Sequence, residues 1–488
     1  MQIHAAQKTV SAGAASTKIE ETEAAEVDPS LPLTGQAERN SSMWQSHQFF
    51  ASSCKYSPYS SRIANAFGSS VYTPAIPYVM YDFQISDTIA TVPLTTYALG
   101  LSFGPMLSAP ISETVGRLGT YRYAVPISAL FTLGAGFAPN IAALCVLRLF
   151  AGLFGGAPLS VCAGTSADLF RPKERAVAGT LLLYTGFLGP AVGPIVGGFV
   201  TQHNGWKWSQ YALAIIMIVS YIPVLFLEET YLKIILRRNA KAESAANPHA
   251  KPAAKALLLG ILLITLLRPL KMLLTEPIVA FLALYVAFNF AVLFIFFGSI
   301  PLRFESVYHF NRGESGLVFL AIGLGCKLAI LTLVILDKLF YQEEYQKRSM
   351  DGQLGIVAPE HRLWAAMIGS FGMPIGLFWF AWSARSDVHW IIPALAIVPY
   401  GWGNLCTYVS ACLYLVDTYA ALTAASAIAA NGLLRYIFGG TFPLFTITRA
   451  TSLLGFVALA MLPIPWILYK WGPNIRAHSN FETNKIPE

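Results

Sequence analysis

The chain is short of charge. Asp, Glu, Lys and Arg make up only 12% of its 488 residues, about half the share expected of a soluble domain. A water-facing surface for a protein of this length cannot be assembled from so few charges, which excludes a soluble multi-domain protein. Cysteines are also scarce and unpaired in sequence. Cys54, Cys145, Cys162, Cys326, Cys406 and Cys412 fall mostly in apolar runs with no CxxC spacing. They read as small buried hydrophobes, not as a disulfide framework or a metal site. The chain has no HExxH, no phosphate loop, no nucleophile elbow and no paired catalytic carboxylates, so neither an enzyme, a cofactor nor a bound metal is expected. It also has no basic patch interleaved with aromatics on a polar domain. The net charge of +7 therefore reads as the Lys/Arg excess of cytoplasmic membrane loops, not as a nucleic-acid surface.

What the chain has is apolar length, with 55% hydrophobic residues and a mean hydropathy of +0.54. A membrane-spanning helix needs roughly 20 apolar residues. Stretches that meet this fall near 63–81, 90–110, 121–138, 141–166, 176–200 and 209–227, and again near 277–299, 314–336, 364–384, 389–415, 420–446 and 450–470. The expected fold is an all-α polytopic membrane protein of about 12 transmembrane helices in two six-helix halves, the arrangement that internal repeats give.

The expected divisions follow. Residues 1–62 form a polar, disordered segment, and residues 63–227 form the first half. Residues 228–276 form a central loop, residues 277–471 the second half, and residues 472–488 a tail. Residues 1–45 lack the apolar core of a signal peptide. The run ALLLGILLITLL at 256–267 is short for a span and precedes Arg268 and Lys271, so it is expected to lie in the membrane interface. Arg117, Arg122, Arg171, Lys173, Arg175, Lys338, Lys347, Arg348 and Arg362 outnumber the charges of the opposite loops, Lys207, Arg303, Arg312, Arg385 and Arg449. This bias places the first set, the central loop and both termini in the cytosol.

Three segments carry candidate mechanism. Glu113, Gly116 and Arg117 form an acid-x-x-Gly-Arg group in the loop after the second span. Its charges could bridge helices as a gate, or be ordinary cytoplasmic charge. Arg148 opens a run with no further charge until Asp168. A charge at membrane depth costs about 2.5–3.5 kcal/mol on insertion scales, so Arg148 should face a cavity or a partner, unless it snorkels to the interface. Gly152, Gly155, Gly156 and Gly164 in the same run suit close helix packing. Finally, GFLGPAVGPIVGG carries Gly189-Pro190, Gly193-Pro194 and Gly197-Gly198. Proline bends the helix and glycine lets a neighbour approach. Asn289, Lys327, Asn404, Asn431 and Arg435 lie within apolar spans as candidate cavity residues or as helix-to-helix hydrogen bonds. Tyr72, Tyr81, Trp379, Trp382, Tyr400 and Trp402 could form an aromatic wall or sit at the membrane interface.

Together these segments resemble the signature motifs of the major facilitator superfamily, over most of residues 67 to 476. The pattern is similar to the fungal twelve-span drug:proton antiporter branch in YTPAIPYVM (72–80), RLFAGLFGGAPLSV (148–161), SADLFRPKERA (166–176), EETYLKIILRR (228–238), RPLKMLLTEPIV (268–279), AANGLLRYIFGGTFPLF (429–445) and ALAMLPIPWILYKWGPNIR (458–476). The resemblance implies that Glu113, Gly116 and Arg117 govern switching between two states. It implies that Arg148, with Asp168, couples protons, and that Gly189, Pro190, Gly193, Pro194, Gly197 and Gly198 form the antiporter motif. Thr114 and Leu118 stand where that loop often has basic residues.

The implied function is proton-coupled efflux of amphipathic drugs, toxins or secondary metabolites by alternating access. The carrier is expected to be a monomer in the plasma membrane, or alternatively the vacuolar membrane, with lipid, protons and substrate as its partners. A polyamine exporter is the near alternative and should want cavity carboxylates. An uptake carrier is disfavoured by the Gly-Pro helix. A transport-defective protein is a further alternative, because residues 43–62 are polar where the first span should start, and because the last two spans are joined by a short connection between Phe445 and Ser452.

Overall fold

The computed structural model describes residues 57–169, 175–231, 234–235, 267–350, 357–445, 451–479, 481 and 483. Among these residues the fold is helical, with one isolated antiparallel bridge between Tyr419 and Thr483 and no named strand. The first half comprises α1 (Ser57–Phe67), a 3-10 turn (Thr73–Ala75) and α2 (Ile76–Phe83), α3 (Asp87–Val115), α4 (Arg117–Gly136), α5 (Ile141–Gly155) with α6 (Ala157–Leu169), α7 (Arg175–Asn204) and α8 (Lys207–Leu225). The second comprises α9 (Pro277–Tyr308), α10 (Arg312–Leu317), α11 (Leu320–Leu336) and α12 (Gln342–Met350), α13 (Trp364–Gly369) with α14 (Gly372–Ser383), α15 (Ile391–Thr418), α16 (Ala421–Thr441), α17 (Thr451–Met461) and α18 (Ile464–Ala477).

A described helix falls within each of the twelve expected stretches. By length and composition, seven described segments are long and apolar enough to cross a membrane. The others are diluted by small and polar residues or interrupted. For example, α3 contains Pro93, Pro105 and Pro110, and the first span is broken between Phe67 and Ile76.

Helix ends follow the local chemistry. Asn140 caps α5 by accepting from the Ala143 N–H at 2.8 Å, and Asn311 with Glu314 forms a capping box at α10, each meeting backbone donors that a helix start leaves unpaired. Left-handed residues end two helices, Gln84 after α2 and His309 after α9. On α8, Ile215, Ile218, Val219 and Ile222 are all exposed, as are Leu320, Leu324, Leu328 and Leu331 on α11. These apolar stripes have helical spacing and face where lipid tails would lie. The largest buried cluster crosses between the halves, joining Tyr72, Leu94 and Phe187 to Phe290, Phe294 and Tyr408.

Two expected boundaries move. The polar segment does not extend to 62. Residues 57–62 are already helical, and all but Ser60 are buried. Their polar groups are satisfied within the bundle: Ser61 Oγ donates to the Ser220 carbonyl at 3.1 Å and Arg62 Nη1 to the Leu159 carbonyl at 2.6 Å. Polarity here marks helix-to-helix bonding, not disorder. At the other end, α18 runs to Ala477, past the expected limit at 471. Residues 1–56, and the interfacial helix expected over 256–267 up to residue 266, lie outside the described residues.

Candidate functional site

Arg148 lies two turns into α5 and is wholly buried. Its Nε donates to the Pro93 carbonyl at 3.4 Å, Nη1 to Gln210 Oε1 at 3.2 Å and Nη2 to the Gly68 carbonyl at 3.2 Å. The guanidinium also stands over the rings of Tyr72, at 4.9 Å, and Tyr97, at 4.5 Å. Its partners are thus dipoles and aromatic faces, with no carboxylate among them, and burial excludes snorkelling. The Gly68 carbonyl is free to accept because α1 stops at Phe67, so the break in the first span forms one wall of this cradle. Asp168 is not part of it. Twenty residues of helix separate Asp168 from Arg148, about 30 Å at 1.5 Å per residue, and the two expected proton-coupling residues occupy different places.

Asp168 belongs to a latch at the basic end of the bundle. Arg117 Nε bonds Asp168 Oδ2 at 3.4 Å and Arg117 Nη1 donates to Ser112 Oγ at 2.7 Å. Glu229 completes the latch from the far side of α8. It accepts from the backbone N–H groups of Arg117 at 2.9 Å, Leu118 at 3.2 Å and Tyr231 at 3.0 Å. A carboxylate distant in sequence thereby caps α4 and meets its helix dipole. Burial pushes the Asp168 carboxyl up from the ordinary carboxylate range, while the Arg117 charge pulls it down. Glu113 stands apart, exposed and with no polar partner among the described residues. Gly164 lies directly under the Arg117 guanidinium.

Gly116 joins α3 to α4 at φ +105°, and a β-carbon there would run into the Glu229 carboxylate. Gly116→Val is expected to cost about 1–3 kcal/mol of backbone strain and to lift Glu229 off its donors. Thermal unfolding of the purified variant checks this, and an unchanged midpoint would contradict it.

A second latch occupies the same end of the other half. Arg362 bonds Asp417 at 2.7 Å and Asp337 at 2.9 Å, and Arg476 bonds Glu360 at 3.0 Å. In the sequence Arg362 stands out only as an orienting charge, and neither Glu229 nor Arg62 stands out at all. Each borders an apolar run, and only the fold supplies its partners. The ion pairs between described residues all stay within one half.

The Gly-Pro helix α7 works at the opposite end. A β-carbon on Gly189 would meet the Phe67 N–H group at 2.6 Å, one on Gly193 would meet Ser70, and one on Gly197 the Val71 carbonyl. That face, with Pro190 and Pro194 inside the helix, beds against the broken first span. The neighbouring face meets the second half. A β-carbon on Gly198 would lie 2.6 Å from the Arg312 carbonyl oxygen, and one on Gly316 would lie 2.6 Å from that of Pro194. Gln202 accepts from the Gly313 N–H at 3.0 Å, and Arg312 stands 4.1 Å from the Tyr78 ring. The halves therefore close on each other here, backbone against backbone. A cavity of about 320 Å³ lies along this seam, lined among others by Asp87, Thr91, Phe294, Glu305 and Arg312.

The remaining candidates divide into two groups. Asn289 and Asn404 meet inside the second half, where Asn404 Nδ2 donates to the Asn289 carbonyl at 3.3 Å and to the Tyr400 hydroxyl at 3.1 Å. The Asn289 side chain itself is buried without a partner. Asn431 and Arg435 lie one turn apart on α16, both buried. Lys327 joins neither group and is exposed on α11. Of the expected aromatic wall, Tyr72 and Tyr400 are fully buried, while Tyr81, Trp379 and Trp382 are exposed.

Comparison with known proteins agrees with this architecture. The family model of the Major Facilitator Superfamily matches residues 59–443. Polyamine transporter 4 of Saccharomyces cerevisiae is 39% identical over 448 residues, covering 85% of this chain and 67% of that protein. Efflux pump FUBT of Fusarium oxysporum is 36% identical over 431 residues, covering 85% and 71%. The fold is also similar to the xylose transporter XylE from E. coli, solved in a partially occluded inward open conformation, with a TM-score of 0.59 at 14% identity over 86% of this chain and 99% of that one. On the length and identity of these matches the chain is a membrane transporter, not an enzyme, and belongs to the major facilitator superfamily, within its fungal efflux branch.

Proposed function

We propose that the chain exports amphipathic small organic molecules in exchange for protons, by alternating access. The observation that carries this reading is the asymmetry of the seam. One end is shut by backbone contacts across the halves through Gly198 and Gly316, while at the basic end the ion pairs between described residues hold each half separately. Positive-inside bias puts the basic end in the cytosol. A carrier closed outside and unlatched between halves inside is poised to load from the cytosol.

Asp168 is the proton acceptor in this reading, because it is the carboxylate that holds Arg117 and burial raises it above the ordinary carboxylate range. Its protonation removes the carboxylate partner of Arg117, leaving Ser112, and loosens the first latch. Arg148 holds the first span, α3 and α8 in one register, so that rearrangement at the latch moves the cavity wall. The plasma membrane and a monomer are the expected setting.

The names of FUBT and similar relatives support export. A relative named for polyamine transport keeps the polyamine alternative open, and Asp87 with Glu305 in the seam cavity favours it, although Arg312 lines the same cavity. Against the transport-defective alternative, residues from Ser57 onward pack within the bundle and the break after Phe67 serves Arg148; residues 43–56 and 446–450, which carry the rest of that alternative, lie outside the described residues.

Expression in a pump-deficient host tests the reading, with amphipathic fluorescent compounds, antifungals and spermine as cargo. Efflux should fall to background with a protonophore. Undiminished efflux under protonophore would overturn proton coupling. No movement of any compound, with protein in the membrane, would overturn export.

A further inference from the structure

Three buried donors at the seam between the halves lack an acceptor. Arg62 of α1 is 5% exposed and gives Nη1 to the Leu159 carbonyl, but its Nε has no partner. Arg435 of α16 is 8% exposed, and its Nε has no partner either. Asn431, one turn earlier on the same face, is 1% exposed with an unpartnered amide nitrogen. All three atoms are N–H groups, so what the place lacks is an acceptor. An unsatisfied buried donor is costly, and more so when it belongs to a charged group.

The two arginines come from opposite halves and are joined by aromatic rings. The Arg62 Nη2 lies by Gly186, next to Phe187 on α7. Phe187 meets Phe290 at 5.2 Å and Tyr408 at 5.4 Å between centroids, crossing the seam. Arg435 stands over Phe290 at 4.4 Å, Tyr436 at 4.6 Å and Tyr408 at 4.7 Å. Both guanidinium charges act on the Tyr408 hydroxyl and on Cys412. Neither arginine has an ion pair with a described residue. Two like charges at membrane depth with no counter-ion among the described residues are each expensive, and a shared anion would offset both.

We infer that this place is a binding site for an organic anion, its acidic group held between Arg62 and Arg435 and its apolar body against Phe187, Phe290, Tyr408 and Tyr436. The inference rests on the export reading only for its direction of transport. It narrows the cargo to aromatic or amphipathic acids and sets the site against a polycation. Because the gripping residues lie on opposite halves, the anion also draws the halves together once bound, as loading of an alternating-access carrier requires.

The test uses the purified full chain in detergent, with equilibrium binding of 1-naphthylacetate, its neutral amide 1-naphthylacetamide and the cation 1-naphthylmethylamine. The wild type should bind the carboxylate about tenfold or more tighter than the amide, as charge-assisted hydrogen bonds are worth relative to neutral ones, and the amine should bind weakest. In Arg62→Gln and in Arg435→Gln the carboxylate-to-amide ratio should fall toward one. Equal binding of acid and amide by the wild type, or tightest binding of the amine, overturns the proposal even if neither variant folds. A ratio unchanged in well-folded variants overturns it as well. Transport in proteoliposomes with an imposed proton gradient separates this from the export reading. Acid preference without proton-driven flux leaves the site and sinks the exporter, and proton-driven flux without acid preference does the reverse.

Discussion

Arg148→Ala is expected to abolish transport while the protein still reaches the membrane. The guanidinium is the common partner of the Pro93 and Gly68 carbonyls and of the Gln210 amide oxygen. Removing it strands three buried acceptors, each worth about 1–3 kcal/mol when left unsatisfied. The cavity so formed is also too polar at its rim to stay dry. The three acceptors come from α3, the break after α1, and α8, so the loss falls on the mutual register of three spans. Flux should drop more than about tenfold, since every 1.4 kcal/mol lost from the working geometry is a factor of ten.

Arg148→Lys should do little better. An ammonium is one compact point on a flexible stem, and it cannot span three acceptors that a planar fork reaches at once. The control is Lys327→Gln, a cation that packs with none of these residues and whose loss should leave abundance unchanged. Efflux per unit of membrane protein is the measurement. Either Arg148 variant retaining half of wild-type flux would show that the cradle is structural padding rather than part of the moving parts.

Much of this was legible from residue order, and the exceptions share a cause. The run length of apolar residues marks the twelve expected stretches, because a bilayer imposes one length on every crossing. Arg148 stood out because a lone charge in an apolar run must be accounted for, and the Gly-Pro helix because its small residues come at helical spacing. What stayed hidden were partnerships. Arg117 was grouped with Glu113, four residues away, whereas the chain pairs it with Asp168 and sets Glu229 on its backbone. Adjacency in sequence is a poor guide at a helix end, where the side chains of two flanking helices diverge.

The first span shows the same limit from the other side. The stretch ending in Ser57, Ser60, Ser61 and Arg62 reads as too polar to cross, since hydropathy scores each side chain as if it faced lipid. Here Asn65 donates to the Ser61 carbonyl and Tyr97 donates to that of Asn65, and Arg62 turns to the seam. Its polarity faces protein, and a property of packing cannot be read from composition. Arg62 is hidden with it, so of the two arginines in the proposed anion site only Arg435 stands out in the sequence.

Gly316→Leu is expected to hold the far end of the seam open and to stop transport. The contact it disrupts is between backbones, since a β-carbon at 316 would lie 2.6 Å from the Pro194 oxygen and 3.0 Å from the Ile195 Cα. Neither atom can rotate away as a side-chain tip could, so α7 and α10 must separate by the size of the added group. Overpacking of this kind costs about 1–3 kcal/mol, and the cost is borne only by the state in which the two halves touch here. The opposite state, in which they are apart, does not bear it, so the equilibrium shifts toward that state by about fivefold to a hundredfold. Gly198→Leu presses on the same joint from the other half, against the Arg312 carbonyl, and should act alike. Gly323→Leu and Gly432→Leu are the controls, because nothing lies within 4 Å of a β-carbon at either position. A cysteine placed at Thr91, in the wall of the seam cavity, reports the change. Its labelling by a membrane-impermeant maleimide from outside the cell should rise severalfold in Gly316→Leu and Gly198→Leu and stay level in the controls, with efflux lost only in the first pair. Unchanged labelling together with lost efflux would place the damage in folding instead of closure, and unchanged efflux would mean that this glycine-lined joint does not have to shut during the cycle.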